Sequence, residues 1–241
     1  MKLSIVIPCY NEQNNIPLIL ARFAGAITRE DIEVILVNNG STDDSAQILR
    51  TLVPRYPFAR TVLVPVNLGY GFGIISGLKE ATGEYIGWTH ADLQTDPQDT
   101  VRALDIIETS GNPTNIYVKG KRTGRAWFDN LFTIGMSFFE TLYLHKWLWD
   151  INAQPNIFHR RLYEQWGEPP HDFALDLFAL YMARQYRFEL IRFEVIFPER
   201  IHGQSSWNTG LKAKWKFIKR TIGFSARLKQ DMKKWNSSPI A

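Results

Sequence analysis

The sequence predicts an α/β fold with a doubly wound, mostly parallel central sheet flanked by helices. Three observations carry it: short apolar or β-branched runs alternate with helical patterns, each run ends in turn or polar residues, and every polar cluster of the first half sits at such an end. Residues 3–7, 33–37, 61–64 and 85–89 read as buried parallel strands, because strands covered on both faces lose in-out alternation. Helical spacing follows over 16–27, over 43–53 with Ser41 as a cap, and over 73–81. A fourth helix opens at Pro97, whose fixed φ suits the first helical turn. Strand and helix in strict alternation put ligand sites at the C-terminal ends of the strands. The polar clusters at those ends are 8–12, 38–44, 67–71 and 90–96.

The second half differs in texture. Residues 127–149 are crowded with aromatics, yet Asp129, Glu140, His145 and Lys146 interrupt them. Residues 173–183 are apolar nearly all round with one charge, Asp176, and 191–197 read as a late strand. There is no internal repeat and no low-complexity linker. At 241 residues, 45% of them hydrophobic, the chain suffices for one domain with a large core. The domain is assigned to 1–210, in halves 1–105 and 106–210, followed by a tail at 211–241. A single cysteine, Cys9, excludes an intramolecular disulfide, and the apolar run before Pro8 is too short for a signal peptide, so a cytoplasmic location is expected. No apolar run approaches the ~18 to 20 residues of a membrane-spanning helix.

The net charge of +4 is unevenly distributed. Between Leu211 and Lys234 nine cations face one acid, Asp231, giving that segment +8 and leaving −4 on the rest. A mildly acidic body with a basic tail points to an anionic partner at one end, a membrane surface or a nucleic acid. Leu211, Trp215, Ile218 and Ile222 fall on one stripe of this tail. A basic amphipathic C-terminal helix of this kind lies in a membrane interface; the alternative is that its stripe packs on the domain while the lysines are solvated. The aromatic run 127–149 is either a core helix or the tail's partner at the membrane. The acidic body and the lack of a nucleic-acid module argue against nucleic acid.

The most informative segment is 84–97, where an apolar strand runs into oxygen ligands. Asp92, Gln94 and Asp96 are spaced to hold a hard divalent cation, which takes only one or two protein ligands when phosphate and water supply the rest. His90 stands where a third acid would strengthen the cluster. The loops 8–12 and 37–44 can wall a nucleotide pocket, with Tyr10 against the base and Glu12 or Asn39 reading its polar edge. Asn39-Gly40-Ser41-Thr42 is equally a turn followed by a cap. The glycine-rich stretch 67–73 lets backbone approach a phosphate.

These segments come in a familiar order: Ser4-Ile5-Val6-Ile7-Pro8-Cys9-Tyr10-Asn11-Glu12, Glu33 to Asp43, Asn67-Leu68-Gly69-Tyr70-Gly71 with Gly77 to Ile86, and Ala91-Asp92-Leu93-Gln94-Thr95-Asp96-Pro97. In order and spacing the chain resembles the family 2 glycosyltransferases over roughly residues 3–206. That resemblance implies a GT-A fold, a nucleoside-diphosphate sugar donor bound by the first half, and inversion at the anomeric carbon. The second half resembles most the polyprenyl-phosphate branch, of the dolichyl-phosphate mannosyltransferase type. The segments that carry it are 119–122, 150–160, 173–176 and 199–206.

The resemblance implies Asp92 and Gln94 as ligands of Mg²⁺ or Mn²⁺, with His90 beside them. Pro8, Tyr10, Glu12, Asn39, Asn67, Gly69, Ala91 and Asp92 would line the donor, and Arg122, Arg200 and Ser205 would face the acceptor. Arginine suits a phosphate because its planar fork engages two oxygens. Asp92 and Arg200 are then catalytic, joined by Asp172 or Asp176 as general base if the acceptor is a hydroxyl; a phosphate acceptor needs none. Asp172 and Asp176 are expected one helical turn apart, with pairing of Asp176 to an arginine as the structural alternative. The family pattern usually has acids at His90, Asn38 and Asn39, and often a base at Ile75. Histidine favours Mn²⁺ over Mg²⁺, and asparagine reads a base edge differently from a carboxylate.

The expected function is transfer of a sugar to a polyprenyl phosphate at the inner face of the membrane. The alternatives are transfer to a hydroxyl of a surface glycan or glycolipid, and a catalytically quiet sugar-nucleotide-binding subunit.

Overall fold

The computed structural model describes residues 1–123, 127–198 and 211–237. Among these residues seven strands form one sheet: β1 (Leu3–Cys9), β2 (Ile32–Asn39), β3 (Ala59–Val64), β4 (Tyr85–Trp88), β5 (Ile116–Thr123), β6 (Asn156–His159) and β7 (Glu189–Ile196). Among the described residues seven α-helices flank it: α1 (Ile16–Ala26), α2 (Ser45–Leu52), α3 (Tyr70–Glu80), α4 (Pro97–Glu108), α5 (Trp127–Leu144), α6 (Leu175–Gln185) and α7 (Leu211–Ser237). The strand order is β3-β2-β1-β4-β6-β5-β7, and only β6 runs antiparallel to its neighbours. The expected doubly wound, mostly parallel sheet is present.

The apolar runs fill two cores, one on each face of the sheet. Ile5, Ile7 and Leu36 pack under α1, α2 and α4, while Val6, Val37 and Trp88 pack under α3, α6 and α7. The layer over β1 is thin at Gly77, where a Cβ would stand 2.4 Å from Val6 Cγ1. Glycine is what lets α3 lie this close to the strands.

Helix starts follow local chemistry. Asp96 caps α4, its side chain accepting from Gln98 N at 2.9 Å, with Pro97 at the first position. Ser41 does not cap α2, which opens after Asp44; its hydroxyl instead accepts from Asn11 N at 3.1 Å. Asp172 and Asp176 do not share a helix, since α6 begins at Leu175 and Asp172 lies in the turn before it. Strands β5 and β6 lie where the sequence showed no strand pattern.

Helix α7 packs along α5, but not by the expected stripe. Phe224, Ser225 and Leu228 are buried, whereas Trp215 is 61% and Ile222 39% exposed, about a third of a turn away around the helix. Ser225 Oγ donates to Glu140 Oε2 at 2.6 Å, and Lys229 Nζ donates to Tyr143 O at 2.7 Å. Glu140 is fully buried, and among the described residues its Oε1 has no partner. Burial pushes its carboxyl from 4.5 up to about 7, against a smaller opposing effect of the Ser225 hydrogen bond.

Because the folded value lies above the unfolded one, Glu140 is least costly below pH 4.5 and destabilises increasingly as pH rises towards about 7. Glu140→Gln is expected to stabilise the protein by about 1–3 kcal/mol near pH 8 and to give little near pH 4. Thermal denaturation at the two pH values checks this, and an equal effect at both would contradict it.

Candidate active site

The first two loops are stitched into one wall by side-chain-to-backbone hydrogen bonds. Asn11 adopts φ 57°, and its Oδ1 accepts from Thr42 N at 2.8 Å. Glu12 N donates to Ser45 Oγ at 2.9 Å, Gln13 N to Asp43 Oδ2 at 3.2 Å, and Asp44 N to Gln13 Oε1 at 3.0 Å. Tyr10 projects from this wall, 45% exposed, as a base-stacking side chain would; Glu12 accepts from Asn15 Nδ2 at 2.6 Å, and Pro8 is the last but one residue of β1.

The third loop closes against the second. Asn39 is 3% exposed, and its Nδ2 donates to Gly69 O at 3.0 Å. Its amide is turned inward, so it shapes the pocket wall, which differs from the base-reading role expected of it. Asn67 Oδ1 accepts from Gly69 N at 2.9 Å. Gly69 has φ 117°, and a Cβ there would sit 2.3 Å from His171 O, so both backbone and space demand glycine.

The fourth loop leaves β4 through Thr89 and His90. Leu93 takes φ 61°, bending the chain so that Gln94 N donates to Asp92 Oδ1 at 3.1 Å. Ala91 and Leu93 anchor the loop in the core, Thr89 and Thr95 hydroxyls bond at 2.7 Å, and Asp92 is 6% exposed. Gln94 Nε2 donates to Pro198 O at 2.8 Å, tying the loop to the segment after β7. The His90 ring lies 5.7 Å from the Tyr70 ring, which stacks on Phe173 at 4.7 Å. Asp96 is a helix cap.

Among the described residues no three His, Cys, Asp or Glu side chains gather to hold a metal by themselves. One carboxylate, one amide and one imidazole at the rim fit an ion that shares its coordination with a diphosphate. Asp92, Gln94 and His90 are the residues that would hold it.

Behind this loop lies a buried polar network that sequence reasoning did not assemble. Asp176, 1% exposed, accepts on Oδ1 from Trp88 Nε1 at 3.0 Å, Gln154 Nε2 at 3.0 Å and Asn156 Nδ2 at 3.1 Å. Its partners are neutral donors, not the arginine envisaged for it. Lys119, fully buried, donates to Asn156 Oδ1 at 2.5 Å and Ala153 O at 2.7 Å, and burial pulls its pKa down to about 7. Tyr70 hydroxyl accepts from Gln154 at 3.4 Å, linking the network to His90's neighbour. The legible signal was the single charge of Asp176 in the apolar run 173–183.

Two further expectations change. Arg122 binds Asp150 through N at 3.0 Å, Nε at 2.9 Å and Nη2 at 2.5 Å, with side chains only 9% and 7% exposed. Its charge is matched within the fold, so it does not stand open to an acceptor phosphate. Asp172 accepts from Ala174 N at 2.9 Å and pairs with Arg220 of α7 at 3.2 Å. Arg200 and Ser205 lie outside the described residues.

A doubly wound sheet with its polar loops gathered at the C-terminal ends of β1, β2 and β4 puts the chain in the class of α/β proteins whose sites form at strand ends. The family model for glycosyl transferase family 2 matches residues 4–167, and the chain belongs to that family. Among curated relatives it is 36% identical over 111 residues to undecaprenyl-phosphate 4-deoxy-4-formamido-L-arabinose transferase of Yersinia enterocolitica, a match covering 44% of this chain and 34% of that protein. The enzyme of the same name from Sodalis glossinidius is 38% identical over 109 residues, covering 44% and 33%. The matched part thus spans about a third of these relatives.

Among solved structures, glucosyl-3-phosphoglycerate synthase from Mycobacterium tuberculosis with uridine diphosphate aligns with a TM-score of 0.71 at 17% identity, covering 95% of this chain and 80% of that one. A mannosyltransferase from Pyrobaculum calidifontis with GDP-mannose and Mn²⁺ aligns at 0.64 and 20% identity, covering 85% and 58%. The likeness bears out the GT-A fold.

Proposed function

We propose that this protein is an inverting glycosyltransferase that moves a sugar from a nucleoside-diphosphate sugar to a polyprenyl phosphate. The observation that carries the reading is the Asp92–Gln94 loop at the end of β4, in a family member whose relatives are named undecaprenyl-phosphate sugar transferases. The wall of Tyr10, Glu12 and Asn67 holds the nucleotide, and Asp92, with Gln94 and His90, holds Mg²⁺ or Mn²⁺. When bound, the ion offsets the charge that develops on the departing diphosphate.

An acceptor phosphate oxygen attacks the anomeric carbon from the face opposite the diphosphate. The new bond is carbon to phosphate oxygen, the bond broken is carbon to diphosphate oxygen, and the electron pair leaves with the nucleotide. The acceptor is already an anion, so no side chain need remove a proton. Asp176 suits this reading: a carboxylate whose Oδ1 accepts from Trp88, Gln154 and Asn156 positions the floor of the site. Arg200 and Ser205 remain the acceptor contacts we propose.

A thermal-shift panel of UDP, GDP, CDP and dTDP with Mn²⁺ or Mg²⁺ tests the donor half of the reading. At a hundred times its dissociation constant, a ligand specific for the folded state adds about 2.7 kcal/mol, or roughly 5–10 °C for a chain of this size. One nucleotide should give that shift only with metal. No shift with any would contradict the proposal.

We further propose peripheral attachment at the inner membrane face. Among the described residues no helix is long and apolar enough to cross a membrane. Trp215 and Ile222 on α7 and Ile134, Phe138 and Leu142 on α5 are exposed, beside a cation-rich helix. Apolar side chains entering the acyl boundary and lysines near anionic headgroups both favour binding, the latter at ~1 kcal/mol each. Replacing Trp215 and Ile222 together by serine should weaken binding to phosphatidylglycerol-containing vesicles by about tenfold or more. Undiminished binding in a flotation assay would contradict this.

A further inference from the structure

The outer edge of the sheet carries a hollow that the transfer reaction does not use. It has a volume of about 460 Å³ and is lined by Lys121, Trp147, Trp149, Arg184, Leu190 and Arg192. Lys121 lies on β5 and Arg192 on β7, two and three strands from β4 in the sheet, so the hollow is displaced laterally from Asp92 by about 10–14 Å at ~4.8 Å per strand.

Its two arginines are not matched by a carboxylate from within. Arg184 Nε donates to Trp147 O at 3.2 Å; Arg192 Nη1 donates to Gly120 O at 3.1 Å and Nη2 to Trp149 O. These partners are neutral carbonyls. Among the described residues no carboxylate lies within ion-pair distance of either guanidinium; Glu194, 69% exposed, pairs with Lys121 at 3.2 Å on the rim. Burial pulls both arginines below their usual range, Arg192 to about 10 even with Asp150 nearby, and Arg184 adds repulsion to Arg192. Two desolvated cations side by side are costly unless an anion joins them.

The rest of the lining describes the body attached to that anion. Trp147 and Trp149 lie nearly parallel, their centroids 6.5 Å apart, and Trp147 is 65% exposed. With Leu190 they offer an apolar platform next to the guanidinium groups. We propose that this hollow is a second anion site, binding a phosphate group carried on an apolar body, by Arg184 and Arg192 at the phosphate and Trp147 and Trp149 along the body. Membrane phospholipid and soluble phosphate esters both present this chemistry. The site does not depend on the acceptor assignment made above.

Calorimetric titration of the full chain with dihexanoyl phosphatidic acid below its micellar range, and with inorganic phosphate, tests the proposal. The short-chain lipid should bind saturably to the wild type and to Asp92→Asn alike, and at least tenfold more weakly to Arg184→Gln and to Trp147→Ala. Inorganic phosphate binding as tightly would mark the natural ligand as a soluble phosphate; much weaker binding would mark it as a lipid headgroup. If Arg184→Gln does not fold, Lys121→Gln on the exposed rim takes its place, with a loss of about threefold or more expected. Absence of saturable binding by both probes overturns the site. So does binding lost in Asp92→Asn and kept in the hollow variants, since the phosphate would then occupy the donor site.

Discussion

Asp92→Asn is expected to reduce sugar transfer by about 10²- to 10³-fold, the scale on which removing one preorganised charge-stabilising group slows a reaction. The change is nearly isosteric. The side-chain oxygen can still accept from Gln94 N, as Asp92 Oδ1 does at 3.1 Å, and the left-handed Leu93 that shapes the loop is untouched. What is lost is one negative charge at the mouth of a loop that is 6% exposed at this residue. The melting temperature without nucleotide should therefore stay within a degree or two, while the metal-dependent stabilisation by nucleotide disappears. Retention of transfer within tenfold of wild type would remove Asp92 from the machinery. His90→Ala, by comparison, should act mainly on the choice between Mn²⁺ and Mg²⁺.

Asp150→Ala is expected to destabilise the fold by about 3–5 kcal/mol, the usual consequence of leaving one half of a buried ion pair without its partner. Asp150 holds Arg122 at three points, and both side chains are more than nine-tenths buried. The melting temperature should fall by on the order of 10 °C. Arg122→Met combined with Asp150→Leu should recover much of that loss, because the stranded charge is gone. Burial alone would push the Asp150 carboxyl up, but the Arg122 guanidinium and its hydrogen bonds bring it below the usual carboxylate range. Its folded value is depressed, so this contribution is present above the unfolded pKa and is lost as pH falls. The gap between wild type and Asp150→Asn should accordingly narrow in acid. A gap that is constant with pH, measured by denaturant unfolding, would contradict the assignment.

The sheet was legible where its strands are apolar and its connections helical. β1, β2 and β4 are dominated by apolar residues, and the helices between them carry clear periodicity. β5 and β6 were not legible, because β5 carries Lys119, Lys121 and Arg122 and β6 is four residues opened by Asn156. Charges in a strand normally argue against burial. Here Asn156 and the carbonyl of Ala153 satisfy Lys119, and Asp150 satisfies Arg122, partners that are distant in sequence.

The same physics explains the site. Asp92, Gln94 and His90 could be placed because a ligand loop at a strand end is a local pattern. The inward turn of Asn39, the capture of Arg122 and the engagement of Asp176 by three neutral donors depend on tertiary contacts. On α7 the apolar stripe was real, but a helix can carry two faces. Phe224 and Leu228 pack on α5, and Trp215 and Ile222 are left outward.

The most direct measurement of the account is incubation of the protein with a polyprenyl phosphate and a radiolabelled sugar nucleotide chosen by the thermal-shift panel. Label should move to the organic phase in the presence of Mn²⁺ or Mg²⁺, and mild acid should release it as free sugar, as expected of a sugar linked through its anomeric carbon to phosphate. Label that stays in the aqueous phase while the nucleotide still binds, or a lipid product stable to mild acid, would contradict it.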